Sequence, residues 1–224
     1  MIIEPPGSVP LPADRADAVA LVGQIVSRET FERLDAFVAL LLERQKITNL
    51  IAASTIPHLW TRHVADSIQL LALAPNAARW VDLGSGGGFP GIVIACVLAE
   101  RRGAEIHLVE SRHRKADFLR EAVHELAIPA RIHALRIEEF GAKNKRTFDA
   151  VTARALAPMD KLLGYASPLL KKGAIGLFLK GQDVAAELTQ ASKSWKIDAE
   201  LVPSLTDPNG RIVVVRHAQQ LKSL

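Results

Sequence analysis

The sequence is poor in the residue types on which many catalytic and metal sites depend. Its 224 residues include one cysteine, one tyrosine and seven histidines. A single cysteine, Cys96, excludes a disulfide within the chain and a cysteine-based metal site. Because Cys96 lies in an apolar stretch, we expect it to be buried in a core rather than reactive. Cys96, Tyr165 and the scattered histidines form no recognisable catalytic triad or metal cluster, and no metal site is predicted.

Export and membrane-spanning signals are also missing. Residues 1–12 contain four prolines instead of the basic and apolar segments of a signal peptide. No apolar run approaches the roughly 18 residues that a membrane-spanning helix needs. The sequence therefore predicts a cytoplasmic protein with no membrane contact, whose residues 1–12 form a flexible proline-rich lead. We expect a monomer.

Apolar residues are plentiful, and charge is unevenly divided. Hydrophobic residues make up 49% of the chain, which allows a substantial core, and the length suits one large domain or a domain with an appendage. Residues 1–78 carry 6 Lys and Arg against 8 Asp and Glu, whereas residues 79–224 carry 22 against 16. The basic larger part indicates an anionic partner, and an ordinary solvated surface explains the same imbalance equally well.

Residues 13–76 show helical patterns only and predict an N-terminal helical cap. From residue 31 to residue 42, apolar residues recur at intervals of three and four, and Thr30 is the predicted N-cap of this helix. Pro57 is expected to open a further helix, because proline is tolerated at the first helical position. We expect the cap to precede a main domain over residues 77–224.

From residue 77 onward, strand patterns alternate with helical ones. The predicted strands are residues 79–83, 104–109, 130–135, 148–153 and 174–179, and the predicted helices are residues 90–101, 112–127, 158–170 and 183–194. Such alternation is typical of a mainly parallel sheet with helices on both faces. Residues 196–202 and 212–216 are separated by a turn-rich loop without room for a helix, so we expect an antiparallel last pair at the sheet edge. The sequence thus predicts a Rossmann-like α/β fold with seven strands.

A glycine-rich loop follows the first predicted strand. Residues 86–91 satisfy the G-x-G-x-x-G motif, and the glycines allow positive φ and the close approach of a ligand. A glycine-rich turn without a ligand has the same pattern. The second strand ends at Glu110, roughly 20 residues past the loop, where a carboxylate can accept hydrogen bonds from ribose hydroxyls. Loop and acid together indicate an adenosine-type ligand.

Several short motifs, taken in order along the chain, resemble one family. They are Asn49-Leu50, Arg62-His63-Val64-Ala65-Asp66-Ser67, residues 82–91, Glu110-Ser111, residues 136–139, Arg154-Ala155 and Leu179-Lys180-Gly181. On these motifs the chain resembles the RsmG (GidB) type of bacterial 16S ribosomal RNA guanine-N7 methyltransferase. The resemblance implies the class I S-adenosylmethionine-dependent methyltransferase fold, S-adenosyl-L-methionine as cofactor, and 16S ribosomal RNA or the small ribosomal subunit as partner.

The resemblance also assigns site residues. Those expected to bind the cofactor are Asp82, Gly84, Ser85, Gly86, Phe89, Glu110, Ser111, Ile137, Glu138 and Arg154. Those expected to contact RNA are Arg62, His63, Arg112, Lys115 and Lys180. Glu110 would hold the ribose, and Ile137 and Glu138 would lie against the adenine. For Arg62 and His63, structural pairing with Asp66 fits the residues as well as RNA contact does.

Methyl transfer to guanine N7 requires neither a nucleophilic side chain nor a strong general base. The methyl group is carried on a sulfonium cation, and N7 has a lone pair and no proton to lose, so alignment can supply about 7–11 kcal/mol of the acceleration. Arg154 is the one predicted catalytic residue. We expect it to contact the cofactor carboxylate, an RNA phosphate or at most guanine O6, because a bidentate contact with O6 and N7 would occupy the attacking lone pair. A salt bridge with Asp160 or another carboxylate is the alternative.

Three other functions fit parts of the pattern. A methyltransferase acting on a small molecule or a protein would need the same pocket. A nicotinamide-dependent oxidoreductase could use the same glycine motif, but Tyr165 is followed four residues later by Leu169, so the Tyr-x-x-x-Lys motif of short-chain dehydrogenases is absent. A ribosome-binding protein could keep the fold without turnover.

Overall fold

A computed structural model describes residues 14–221, and the structural statements below concern this part of the chain. The strands are β1 (Arg79–Leu83), β2 (Glu105–Val109), β3 (Ala130–His133), β4 (Ala150–Arg154), β5 (Ile175–Lys180), β6 (Trp195–Pro203) and β7 (Arg211–Gln220). They form one sheet in the order β3-β2-β1-β4-β5-β7-β6. The first five strands pair in parallel, and β7 is antiparallel to both β5 and β6. The predicted seven-stranded, mostly parallel sheet with an antiparallel last pair is therefore confirmed.

The order of the strands positions the site. β1 has β2 on one side and β4 on the other, so the direction in which the chain winds along the sheet changes at β1. In such sheets a crevice opens at the carboxyl ends of the strands on either side of this point. The reversed strand β7 lies one position inside the sheet, and β6 forms the edge.

The helices alternate with the strands as predicted, with one addition. They are α1 (Arg15–Val22), α2 (Arg28–Gln45), α3 (Asp66–Ile68), α4 (Leu70–Leu73), α5 (Gly91–Leu98), α6 (His113–Glu125), α7 (Ile137–Lys143), α8 (Met159–Leu170) and α9 (Val184–Ala191). The addition is α7, which the sequence pattern did not predict because its 7 residues are too few for a helical period to be recognised. Within residues 14–221, no helix is long and apolar enough to cross a membrane.

Two details of the cap differ from prediction. The N-cap of α2 is Ser27, whose Oγ accepts a hydrogen bond from the Thr30 backbone N–H at 3.0 Å. Thr30 therefore lies inside the helix, and its hydroxyl donates to Glu100 Oε1 at 2.7 Å. Pro57 does not open an α-helix but lies within a 3-10 turn, Ala53–His58, which a π-helical turn, Trp60–Ala65, follows. The predicted proline-rich lead over residues 1–12 is outside the described residues.

Apolar side chains cover both faces of the sheet. One face packs against α5, α6 and the cap helices, and the other against α7, α8 and α9. Phe37 of α2 packs against Phe89 and Phe118, with ring centroids 5.2 and 6.3 Å apart, so the cap shares a core with the sheet. The division of the chain after residue 76 stays a prediction. Cys96 of α5 is fully buried, as predicted, and burial raises the pKa of its thiol to about 12.

Candidate functional site

A cavity of about 1080 Å³ opens at the carboxyl ends of β1, β4 and β5, between the sheet and the cap. All the predicted site residues except Asp82 line it: Arg62, His63, Gly84, Ser85, Gly86, Phe89, Glu110, Ser111, Arg112, Lys115, Ile137, Glu138, Arg154 and Lys180. We call the part formed by Gly84–Gly87 together with Glu110, Ser111, Ile137 and Glu138 the glycine-loop side. The part formed by Asp66, Ala157, Pro158, Lys180, Glu187, Ser204, Thr206 and Asp207 is the strand-β5 side.

On the glycine-loop side, Glu110 joins the tips of β1 and β2. Its Oε2 accepts a hydrogen bond from the Gly86 N–H at 2.9 Å, and its Oε1 accepts one from the Arg112 N–H at 2.7 Å. Gly84 and Gly86 have φ values of +72° and +55°, a conformation that residues with a Cβ rarely adopt. The glycines are therefore required by the turn, and the acid fixes its position.

The loop is also packed tightly from beneath. A Cβ on Gly91 would lie 2.2 Å from Leu108 Cδ2 and 2.8 Å from Asp82 Oδ2, so α5 begins in direct contact with β1 and β2. A Cβ on Gly87 would lie 2.9 Å from the Leu50 carbonyl oxygen, so the cap contacts the loop from the other side. Larger residues at either position would have to move backbone or core atoms.

The position of Asp82 differs from the predicted contact with a cofactor. Its side chain is fully buried below the loop and does not line the cavity. Oδ1 accepts a hydrogen bond from Thr152 Oγ1 at 2.9 Å, whereas Oδ2 is buried without a hydrogen-bond partner. Burial raises the pKa of this carboxyl group to about 6, and the hydrogen bond from Thr152 and the charge of Arg154 oppose the shift. Asp82 therefore supports the loop from inside the protein, because the β1 pleat points its side chain into the core.

Arg154 lies where the two sides of the cavity meet. Its Nη1 donates a hydrogen bond to the Arg62 carbonyl oxygen at 3.0 Å, and its guanidinium carbon lies 5.2 Å from the centre of the Phe89 ring. Burial lowers the pKa of the guanidinium to about 10, and Asp66 and Asp82 oppose this shift. Arg154 is therefore cationic at neutral pH. Within residues 14–221 it forms no ion pair shorter than 4.0 Å, so the alternative of an ordinary salt bridge is not observed.

His63 is less accessible than an RNA contact requires. It is 7% exposed, its ring stacks on Phe89 with centroids 4.8 Å apart, and its Nε2 lies 2.8 Å from Thr55 Oγ1. Burial lowers the pKa of the imidazole to about 3, with Arg154 and Arg62 adding to the shift. A buried, uncharged imidazole is not placed to bind phosphate, so the structure favours a packing role for His63 over the predicted RNA contact.

The cap reaches the cavity through the loop of the Asn49-Leu50 motif, which is held by Gln45, a residue that the motifs did not single out. Gln45 Oε1 accepts hydrogen bonds from the N–H groups of Leu50 and Ile51 at 2.8 and 3.0 Å. The Leu50 carbonyl then accepts from Lys115 Nζ at 3.3 Å. Burial lowers the pKa of the Lys115 ammonium group, while nearby Glu110 raises it. No feature of the sequence around Gln45 indicated this role, because glutamines on a helix surface are common.

A second set of contacts fixes the loop between β6 and β7, residues 204–210. Asp66 Oδ1 accepts hydrogen bonds from Ser204 Oγ at 3.2 Å and Thr206 Oγ1 at 2.9 Å. Gln69 Oε1 accepts from the Leu205 N–H at 2.9 Å. Burial raises the pKa of the Asp66 carboxyl group, and the Thr206 hydrogen bond opposes the rise. Asp66 belonged to a recognised motif, but its partners in this loop are more than 130 residues away and could not be read from the sequence.

Lys180 is paired rather than free. Its Nζ donates to the Ala157 carbonyl oxygen at 2.8 Å and contacts Glu187 Oε2 at 2.5 Å. Glu187 Oε2 also accepts from the Met159 N–H at 2.8 Å, at the start of α8. Glu187 lines the cavity and was not predicted as a site residue. Its place in the helical pattern of α9 gave no sign that it faces Lys180.

The structure has the fold of the class I S-adenosylmethionine-dependent methyltransferases. Three features define this fold: the order of the strands, the crevice at β1, and the glycine loop closed by an acid. An O-methyltransferase from Bacillus cereus in complex with SAH has this fold, with a TM-score of 0.59 over 89% of this chain and 96% of that chain. The two sequences are 14% identical, so the likeness concerns the fold alone. The predicted fold class is confirmed.

Sequence relatives identify the family more narrowly. Residues 30–216 match the family described as GidB, rRNA small subunit methyltransferase G. A Bradyrhizobium protein named ribosomal RNA small subunit methyltransferase G is 59% identical over 203 residues, covering 91% of this chain and 90% of the relative. A protein of the same name from Nitrobacter hamburgensis is 58% identical over 201 residues, covering 90% and 76%. The chain belongs to this family, and the resemblance seen in its motifs is confirmed.

Proposed function

We propose that this protein transfers a methyl group from S-adenosyl-L-methionine to N7 of a guanine in 16S ribosomal RNA. The observation that carries the proposal is the buried Glu110 carboxylate that closes the glycine loop at the cavity, in a chain whose relatives are named as small-subunit ribosomal RNA methyltransferases. The guanine and its N7 atom follow from the resemblance to the RsmG type.

The glycine-loop side suits the adenosine part of the cofactor. Each Glu110 oxygen has one backbone N–H partner, and a carboxylate oxygen can accept a second hydrogen bond, so ribose hydroxyls can be bound there. Ile137 and Glu138 form the first turn of α7 and line the same side, where we place the adenine. Gly84 and Gly86 present backbone without side chains, which allows the ligand to approach closely.

The reaction requires alignment of the methyl group with guanine N7 rather than a reactive side chain. When bound, S-adenosylmethionine supplies an electrophilic methyl group. The N7 lone pair forms the new N–C bond, the electron pair of the S–C bond passes to sulfur, and the positive charge moves from sulfur to the guanine ring. No proton is transferred, so the reaction needs no catalytic base. Alignment of this kind is worth about 7–11 kcal/mol.

We assign Arg154 the role of holding a negatively charged group of the cofactor or the RNA in place. It is cationic and lies against Phe89 at the meeting point of the two sides. We expect it to contact the cofactor carboxylate or an RNA phosphate, and to contact the guanine base at most through O6. A bidentate contact with O6 and N7 is excluded, because N7 must keep its lone pair for the attack.

Positive side chains at the cavity suit a polyanion. Arg62, Arg112 and Lys115 line it and are assigned to phosphate contacts, together with the charge of Arg154. Each phosphate contact with single-stranded RNA contributes about 0.7 to the slope of log affinity against log salt concentration. The uneven charge of the chain, with its basic surplus after residue 78, agrees with this partner.

A transfer assay tests the proposal. The protein is incubated with cofactor labelled in the methyl group and with naked 16S RNA, small ribosomal subunits, a panel of metabolites or unrelated proteins. We expect label in RNA alone, in one guanine whose modification makes the strand cleavable in the manner of N7-methylguanine. Label in a metabolite or a protein would replace this function with another methyl transfer. Binding of cofactor without any transfer would favour a ribosome-binding protein.

A further inference from the structure

The strand-β5 side of the cavity contains a donor and an acceptor whose roles the proposed function leaves open. Lys180 ends β5, next to Arg154 at the end of β4. Glu187 approaches Lys180 from α9, and both residues line the cavity. The Lys180 side chain is 9% exposed and the Glu187 side chain 28%, so the pair is held inside the cavity wall rather than on the outer surface.

The contacts of the pair leave hydrogen-bonding capacity unused, on two residues that line the cavity. Lys180 Nζ has three N–H donors and uses two, for the Ala157 carbonyl and for Glu187 Oε2. Glu187 Oε2 is occupied by Lys180 and by the Met159 N–H. Glu187 Oε1 has no hydrogen-bond partner within residues 14–221. In the described part of the chain, one ammonium donor and one carboxylate oxygen are therefore unused, on two side chains in direct contact.

This order of donor and acceptor matches one edge of guanine. The Watson–Crick edge of guanine presents the O6 acceptor, then the N1–H donor, then the N2 amino donor. An ammonium group suits O6, and a carboxylate suits the two N–H groups beside it. N7 belongs to the opposite ring edge, so this mode of recognition leaves the reacting lone pair uncovered, whereas the common arginine contact with O6 and N7 would block it.

We propose that Lys180 and Glu187 are the specificity-determining residues that bind the Watson–Crick edge of the target guanine. The inference rests on the proposed function and specifies the substrate subsite of the same cavity. The Met159 and Ala157 backbone contacts hold the pair in place, so the subsite exists before RNA binds. Enzymes that act on a base commonly take it out of its stack and read this edge in the pocket.

The same pair discriminates against adenine. Adenine has an amino donor where guanine has O6, and an unprotonated N1 where guanine has N1–H. The Lys180 ammonium would face a donor and the Glu187 carboxylate would face a lone pair, so both hydrogen bonds are lost. A site built on hydrogen bonds rejects an analogue that lacks them more strongly than an apolar pocket does.

Glu187 is also placed to assist the transfer. As N7 accepts the methyl group, the guanine ring becomes cationic, and its N1–H and N2–H groups become stronger donors. A carboxylate that accepts from them is bound more tightly in the transition state than in the ground state, which is the condition for raising the rate. Loss of Glu187 should therefore lower kcat as well as weaken RNA binding.

The test compares guanosine with inosine, which lacks only the N2 amino group, at the methylated position. That position is first mapped with the wild-type protein, and ligated RNAs carrying either nucleoside there are then used as substrates. We expect wild-type protein to prefer guanosine by about 10-fold or more in kcat/KM, because only guanosine has the N2 amino donor for Glu187. In Glu187→Gln the preference should fall to about 2-fold or less, because the single amide oxygen is needed by Lys180 and the Met159 N–H, and the amide NH2 would then face the donors of the base. Glu187→Asp should keep part of it.

A purely structural role of Glu187 would lower activity on both RNAs and leave the guanosine-to-inosine ratio unchanged, and that result would overturn the proposal. Asp183→Asn, an exposed residue just before α9, is the matched control and should keep the wild-type ratio. If Glu187→Gln has no measurable turnover, the ratio of RNA affinities in the presence of S-adenosylhomocysteine replaces kcat/KM, with the same two outcomes. Failure of the proposed function is distinct, because wild-type protein would then methylate neither RNA.

Discussion

The contact that closes the glycine loop joins residues that are close in sequence, whereas the contacts of Asp66 on the strand-β5 side join residues far apart. The hydrogen bond from Gly86 to Glu110 spans 24 residues, and that from Thr206 to Asp66 spans 140. The first contact lies within one β-α-β unit, and the second forms only when the cap packs against the loop between β6 and β7. The two sides should therefore respond differently to substitution, the first through cofactor affinity and the second through use of the RNA.

The largest effect is expected at the boundary between the two sides. Arg154→Ala removes the cation against Phe89 and the donor to the Arg62 carbonyl. We expect methylation to fall by about 100-fold or more, the range seen when a preorganised electrostatic contact is lost. The thermal unfolding midpoint should stay within a few degrees of wild type. Arg216→Ala, on the exposed part of β7, is the control and should keep full activity. Full activity in Arg154→Ala would refute its assigned role.

Next in size is a substitution beneath the glycine loop, at the start of α5. Gly91→Ala would place a Cβ 2.2 Å from Leu108 Cδ2, so either the core or the loop must move. Overpacking of this kind costs about 1–3 kcal/mol, and we expect a matching loss in the free energy of unfolding together with weaker cofactor binding. Urea denaturation and calorimetry measure the two quantities.

The control for that substitution is Gly141→Ala in α7, where the nearest atom to the new Cβ is Pro168 Cγ at 3.7 Å. It should be neutral or stabilise the protein by up to about 1 kcal/mol, since alanine favours a helix more than glycine does. If Gly91→Ala behaves like this control, the loop is not packed as tightly as described.

A smaller effect, confined to the strand-β5 side, is expected at Asp66. Asp66→Ala removes the acceptor for Ser204 and Thr206 and should loosen the loop between β6 and β7. We expect kcat/KM for the RNA to fall by about 10-fold, corresponding to roughly 1.4 kcal/mol, with cofactor affinity unchanged. Hydrogen exchange of residues 204–210 should rise in parallel.

Asp66→Asn is the matched variant, because its amide oxygen can still accept both hydroxyl hydrogen bonds. It should recover most of the activity and the slow exchange. Equal losses of cofactor affinity and RNA use in Asp66→Ala would mean that the two sides do not respond separately.

The sequence predicted the glycine-loop side well for a physical reason. Positive φ, a missing Cβ and an acid at the next strand tip are local demands, and Gly84, Gly86 and Glu110 display them directly. The burial of Asp82 and His63 could not be read in the same way, since it depends on what packs above them. Glu187 and Gln69 were missed because a polar residue on a helix gives no indication of a partner on another element.

A separate effect, on stability rather than on activity, concerns pH and the burial of His63. Its pKa falls from 6.5 to about 3 on folding, so between these values the unfolded chain binds more protons than the folded one. Stability should therefore decrease as pH falls through this window, by up to about 1.4 kcal/mol per pH unit from this group. His63→Asn should reduce that slope, measured by urea denaturation between pH 4 and 6 at roughly half-unit steps.

Thr55→Val separates titration of His63 from loss of its hydrogen bond. It removes the hydroxyl at 2.8 Å from Nε2 but leaves the imidazole, so overall stability should fall while the pH slope remains. A slope in His63→Asn equal to that of wild type would contradict the burial of an uncharged imidazole beside Phe89.

Cofactor binding to Glu110→Ala is the most direct test of the account, because the glycine-loop side is assigned to adenosine through this carboxylate. Isothermal titration with S-adenosyl-L-methionine should show affinity at least about 10-fold below wild type, the loss expected when charged hydrogen bonds to a ligand are removed. Glu200→Ala, an exposed residue of β6, should bind as wild type does. An unchanged dissociation constant in Glu110→Ala would contradict the central claim that this acid holds the cofactor ribose.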